Sequence, residues 1–177
     1  MKMRFFSFWM LAALLALLAG CAFAPVEPGD TEQDVVTKRG APAARFQDGD
    51  MTVLNYPGGY YGQYSYMARF GPDGRLVRYE QVLTAEKFAA IKINESTKLD
   101  VLRTVGQPSE TSYLSLPDLE VWSYRYRENG VWNSIMHIQF DRSGIVRRMQ
   151  NLRDPMFDED DFMFRNRIQG SGLRGRH

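Results

Sequence analysis

Apolar and polar residues alternate most regularly from Met136 to Phe140, where Met136, Ile138 and Phe140 interleave with His137 and Gln139. A period of two places one face of a strand on a core and the other in solvent. Further short runs rich in Val, Ile, Tyr, Trp and Phe cover residues 51–56, 64–70 and 75–82, then 119–126, 132–140 and 145–152, and they predict six strands. Turn dipeptides punctuate them at Asp73-Gly74, Asn129-Gly130 and Ser143-Gly144. Ahead of each group of three strands the period lengthens to that of a helix. Thr31 to Pro42 and Thr97 to Pro108 match in Thr, Asp, Val, Gly and Pro at the same offsets. Each Thr can accept from the first-turn amides while the Asp three residues on reaches back, as in a capping box. Gly40 and Gly106 can take the left-handed C′ conformation, and the following proline forbids continuation. Two turns of helix are unstable alone, so each must pack an apolar edge, such as Leu99, Leu102 and Val105, against a sheet.

The pattern therefore repeats. The closing segments also align, with Phe70-Gly71-Pro72-Asp73-Gly74-Arg75-Leu76-Val77 set against Phe140-Asp141-Arg142-Ser143-Gly144-Ile145-Val146. The predicted fold is α+β, two tandem units of a helix plus a three-stranded antiparallel sheet, over residues 31–83 and 84–152. The second unit carries an addition at residues 84–91, where a Thr cap precedes Phe88 and Ile91 at helical spacing. The first unit has no room for its counterpart, because residues 21–30 contain Pro25 and Pro28 and read as an extended tether. Residues 153–177 read as a disordered tail.

The N-terminus is of another kind. Lys2 and Arg4 precede an apolar run from Phe5 to Ala19, followed by Leu18-Ala19-Gly20-Cys21. The run has the length of a signal h-region rather than a membrane span, so residues 1–20 read as a signal peptide cut before Cys21. The box resembles that of diacylglyceryl-modified bacterial lipoproteins, which implies a thioether-linked lipid and an N-acyl chain on Cys21. Two or three acyl chains, at about 0.8 kcal/mol per buried methylene, anchor a protein permanently. Ala22 carries no acidic retention mark, so the expected address in a Gram-negative host is the outer membrane, facing the periplasm.

Removing residues 1–20, which hold two cations and no acid, takes the formal charge from +1 to −1. Nucleic acid is thereby an unsuitable partner. The remaining length is enough for a core without disulfides, and Cys21, the single cysteine, is assigned to lipid.

The units running from Pro28-Gly29-Asp30-Thr31 to Gly40-Ala41-Pro42, and from Thr97 to Gly106-Gln107-Pro108 with Trp122-Ser123-Tyr124 and Gly144-Ile145-Val146, resemble the SmpA/OmlA (BamE-like) outer-membrane lipoprotein family. The doubled unit also resembles the β-lactamase-inhibitor-protein fold. The resemblance implies a non-enzymatic accessory lipoprotein that supports outer-membrane protein assembly or envelope integrity through protein and lipid contacts. The alternative it leaves open is a periplasmic enzyme inhibitor presenting its concave sheet, which exposed aromatics on the open sheet face would favour.

No constellation of catalytic or metal-binding residues stands out, and no cofactor or small-molecule substrate is expected. His137 reads as a solvated strand histidine. Asp154 and Asp158 to Asp161 lack calcium-loop spacing. The glycines at 58, 59 and 62 fit no phosphate loop. Two aromatic groups remain as candidate partner sites: Tyr60, Tyr61 and Tyr64 within that glycine-rich connection, and Phe157, Phe162 and Phe164 around the acidic run of the tail. Tyr offers large contact area at low ordering cost, and an acidic-aromatic segment suits folding on binding.

Overall fold

In the computed structural model of the protein, residues 24–157 are described. They form α1 (Glu32–Arg39), β1 (Ala44–Asp48), β2 (Met51–Gly58), β3 (Tyr64–Phe70) and β4 (Leu76–Gln81), then α2 (Ala85–Ala89), α3 (Lys98–Val105), β5 (Glu110–Leu114), β6 (Leu119–Glu128), β7 (Trp132–Phe140) and β8 (Val146–Arg153). Two antiparallel sheets result, ordered β1-β2-β3-β4 and β5-β6-β7-β8. The fold is α+β and the helix-plus-sheet unit is doubled.

Each sheet has four strands where the sequence pattern predicts three. The additional strands, β1 and β5, are five-residue edge strands, and every residue of β5 is exposed. β5 has no buried stripe to read, and in β1 the one large apolar residue, Phe46, packs only partly against Val53, Met67 and Val82, too little to mark a strand by period. At the other end, β8 reaches Arg153 and a 3-10 turn continues through Pro155–Phe157, so ordered chain extends past the expected start of the tail.

Both long helices start as their sequences dictate. Asp34 N donates to Thr31 Oγ1 at 3.2 Å while Thr31 N donates to Asp34 Oδ2 at 2.9 Å; the Thr97–Asp100 pair repeats this at 3.2 and 2.8 Å. These hydrogen bonds hold both carboxyls below the usual carboxylate range. Both helices end on a glycine, but not in the left-handed conformation. Gly40 and Gly106 have φ 85° and 83° with ψ −172° and −161°, the extended positive-φ region that essentially only glycine enters.

Helix α1 buries Val35 on Leu54, Ala68, Phe70 and Leu76. Helix α3 buries Val101 and Val105 with Leu102 at the margin, whereas Leu99, expected on the packed edge, stays exposed. The contact line follows i and i+4 from Val101 and leaves Leu99 to one side.

Matching strand register equates the two sheets: Tyr56 lies opposite Tyr66 as Tyr124 lies opposite Met136, and Ala68 opposite Tyr79 as Ile138 opposite Met149. Cover is what differs. In the second unit α2, capped by Thr84, sets Phe88 edge-on against Tyr124 and Tyr126 at 5.8 and 4.9 Å between ring centroids. In the first unit the preceding residues turn at Pro28-Gly29, with Asp30 N donating to Glu27 O at 3.1 Å, and join β4 through Gly29 N on Leu76 O and Leu76 N on Asp30 O, both at 2.8 Å. No helix lies there among the described residues. Tyr66 is consequently 36% exposed where its counterpart Met136 is 9% exposed, and it stacks on Tyr79 at 5.3 Å.

Candidate binding surface at the junction of the two units

The units meet where the C-terminal end of α3 abuts the outer face of the first sheet. Asn55, fully buried, accepts from Gln107 N at 3.3 Å and donates to Ser65 Oγ at 2.7 Å. Arg69 spans the seam. Its guanidinium donates to Asp48 at 2.8 Å and to the carbonyl of Arg103 at 2.6 Å, satisfying a last-turn acceptor at the negative end of α3. Arg103 returns a hydrogen bond to Gln47 O at 3.2 Å. A groove of about 570 Å³ opens beside these residues, lined by Asp48, Arg69, Arg78, Glu80, Lys87 and Arg103 among others. Its charges pair with one another, Lys87 with Glu80 at 3.0 Å for instance, so it is a seam of ion pairs rather than a single-sign trap.

At the far end of the junction two of the candidate residues come together. Tyr61, in the 3-10 turn Tyr60–Gly62 between β2 and β3, meets Phe157 edge-on at 5.7 Å. The connection is held to the second unit by Gln63, whose amide donates to Asn133 Oδ1 at 2.8 Å. The carbonyl of Asn133 in turn accepts from Asp154 N at 3.0 Å. Asp154 is wholly buried and ion-paired with Arg125 at 3.3 Å, which fixes the turn that carries Phe157. Tyr61 is 45% exposed, and Met156, next to Phe157 in the same turn, is 52% exposed. Val131 and Trp132, which follow the Asn129-Gly130 turn, are also exposed, but strand alternation sets Trp132 on the face of Met136, away from Asn133. The residues of this end that the pattern did not isolate are Gln63 and Asn133, whose hydrogen bond joins the turn to the second unit.

Tyr64 does not join this group. Strand alternation places it on the face of Tyr66 and Ala68, part of the uncovered tyrosine shelf. Tyr60 begins the turn that carries Tyr61, while Phe162, Phe164 and Cys21 lie outside the described residues.

His137 is not simply solvated. It is half-buried, directly opposite Ser123 in register, and its Nδ1 lies 2.8 Å from Ser123 Oγ. Burial pushes its pKa down, against the raising influence of Glu110 and Asp154, while Arg125 adds to the lowering. A cross-strand hydrogen bond is the ordinary way to satisfy such an imidazole. Among the described residues no group of three or more His, Cys, Asp or Glu could hold a metal ion, and no helix is long and apolar enough to cross a membrane.

Comparison with known proteins leaves the surface unassigned. No family model and no curated protein matches the chain. The solved structure of a DUF4309 family protein (YjgB) from Bacillus subtilis covers 71% of this chain and 79% of its own at 13% identity, with a TM-score of 0.31, a likeness too loose to carry fold or function across.

Proposed function

We propose that the chain is an envelope lipoprotein, lipidated at Cys21 and held on the periplasmic side of the outer membrane, that acts as a non-catalytic binding or scaffold module in outer-membrane protein assembly or envelope integrity. The observation that carries the binding role is the meeting of Tyr61 with Phe157 beside exposed Met156. Residues from the first unit and from the chain's last described turn converge on one exposed aromatic surface, where rigid rings give contact area at low entropic cost. The sequence supplies the anchor: a basic start, an apolar run and a Leu-Ala-Gly-Cys box. The inhibitor alternative called for aromatics on the open face of a sheet. On the face of the second sheet away from its helices, Val121, Ser123, Ile135 and Gln139 of the central strands are buried, and neither they nor Arg125 and His137 supply a Phe, Tyr or Trp ring, so that reading gains no support.

A photoreactive residue at Tyr61, crosslinked in native membranes, tests the proposal. Mass spectrometry should identify components of the β-barrel assembly or envelope machinery. Capture of a single soluble hydrolase would replace it with the inhibitor reading, and the absence of any adduct would count against this surface.

A further inference from the structure

The tyrosine shelf of the first sheet is the place that α2 fills in the second. Its exposed residues are Tyr64 and Tyr66, with Tyr66 stacked on half-buried Tyr79 above the buried Tyr56 and Arg39 over the Tyr79 ring at 5.4 Å. We propose that the shelf rests on the membrane: the headgroup layer of the bilayer that holds the Cys21 lipid covers the face left bare by the missing helix. The inference rests on the lipidation of Cys21 put forward above.

Chain geometry supports it. Val26 packs against the same buried cluster as Tyr79 and Val36, and the tether is fixed there by Gly29 N on Leu76 O and by Arg75 on Gly29 O at 3.2 Å. Four residues lie between Cys21 and Val26, so the two are at most about 18 Å apart even fully extended. An anchor so short keeps the lipid near the end of the first unit where Val26 packs rather than letting the domain hang freely from it. The chemistry of the shelf suits a headgroup layer. Tyrosine rings with a polar tip belong at the boundary between hydrocarbon and water, and an exposed arginine over a ring adds a cation for lipid phosphate. The second sheet needs a helix at the same position because its residues there are Tyr124, Tyr126, Met136 and Met149, a dry core packed under Phe88.

The test is collision accessibility of a spin label on the full-length lipoprotein, processed in cells and reconstituted into phosphatidylethanolamine–phosphatidylglycerol vesicles. Cys21, blocked as a thioether, takes no label, so Tyr66→Cys reports the shelf and Leu116→Cys, on the fully exposed β5–β6 turn, reports solvent. Arg39→Cys at the exposed rim serves if Tyr66→Cys does not fold. The expected result is a severalfold higher ratio of oxygen to nickel-chelate collisions at the shelf than at residue 116. Equal ratios in protein that incorporates palmitate and pellets with the vesicles would overturn the docking and leave the anchor standing. Low collision with both reagents would mean that protein covers the shelf, and would overturn it too. Failure to incorporate palmitate would overturn the anchor and the docking together.

Discussion

The two units share strand register, helix caps and closing turn, yet a helix covers one sheet face at a position the other leaves open. Met136, under α2, is 9% exposed, whereas its counterpart Tyr66 is 36% exposed and stacks on half-buried Tyr79. The difference lies in a single five-residue helix. A short element with little stability of its own thus decides how far a sheet face is covered.

Removing the lid is the largest test of that contrast. Phe88→Ala should cost the second unit about 3–5 kcal/mol, read as a lower urea midpoint, while Tyr66→Ala in the first unit should cost far less because its ring is already partly in water. Equal losses would mean that the two faces are equally buried.

The helix ends sharpen the comparison at the seam. A Cβ at Gly40 meets nothing within 4 Å, but one at Gly106 would sit 2.8 Å from the Asn55 amide. Both alanine variants bear the cost of a backbone region closed to side chains, about 1–3 kcal/mol. Gly106→Ala should lose about 1–3 kcal/mol more through overpacking, with thermal melts as the measure. The caps, by contrast, should be equivalent: Thr31→Ala and Thr97→Ala are each expected to cost about 1 kcal/mol, and a marked inequality in melting would show that the helices carry different loads.

The smallest effect belongs to the second unit alone. Burial disfavours the imidazolium of His137, so its folded pKa lies below the unfolded value near 6.5. Its stabilising contribution is complete above that pH and is lost as pH falls through the folded value. His137→Gln should flatten this part of the stability profile below pH 6.5, and an unchanged slope would exclude His137 as its source.

What the sequence disclosed follows from range. Thr31, Asp34, Thr97 and Asp100 act within one turn, so their caps were legible from spacing. Met136, Ile138 and Phe140 announce a half-buried strand by period alone. Strand β5 has no buried stripe and β1 only the partly packed Phe46, and both were missed. Tyr61 and Phe157 each stood out, but nothing local says that they touch. Arg69 reads as a strand polar residue until the Arg103 carbonyl it caps is brought to it by the packing of the second unit.

The hydrogen bond from Gln63 to Asn133 joins residues 70 apart in sequence, and Tyr61 waits still longer for Phe157. A chain delivered N-terminus first can complete its first sheet from near neighbours, but these partners arrive only when almost all of it has emerged. Loop-closure entropy then opposes their pairing until the second sheet has formed. The aromatic surface assembled from both units is therefore the last part of the protein to exist, and a half-delivered chain displays none of it.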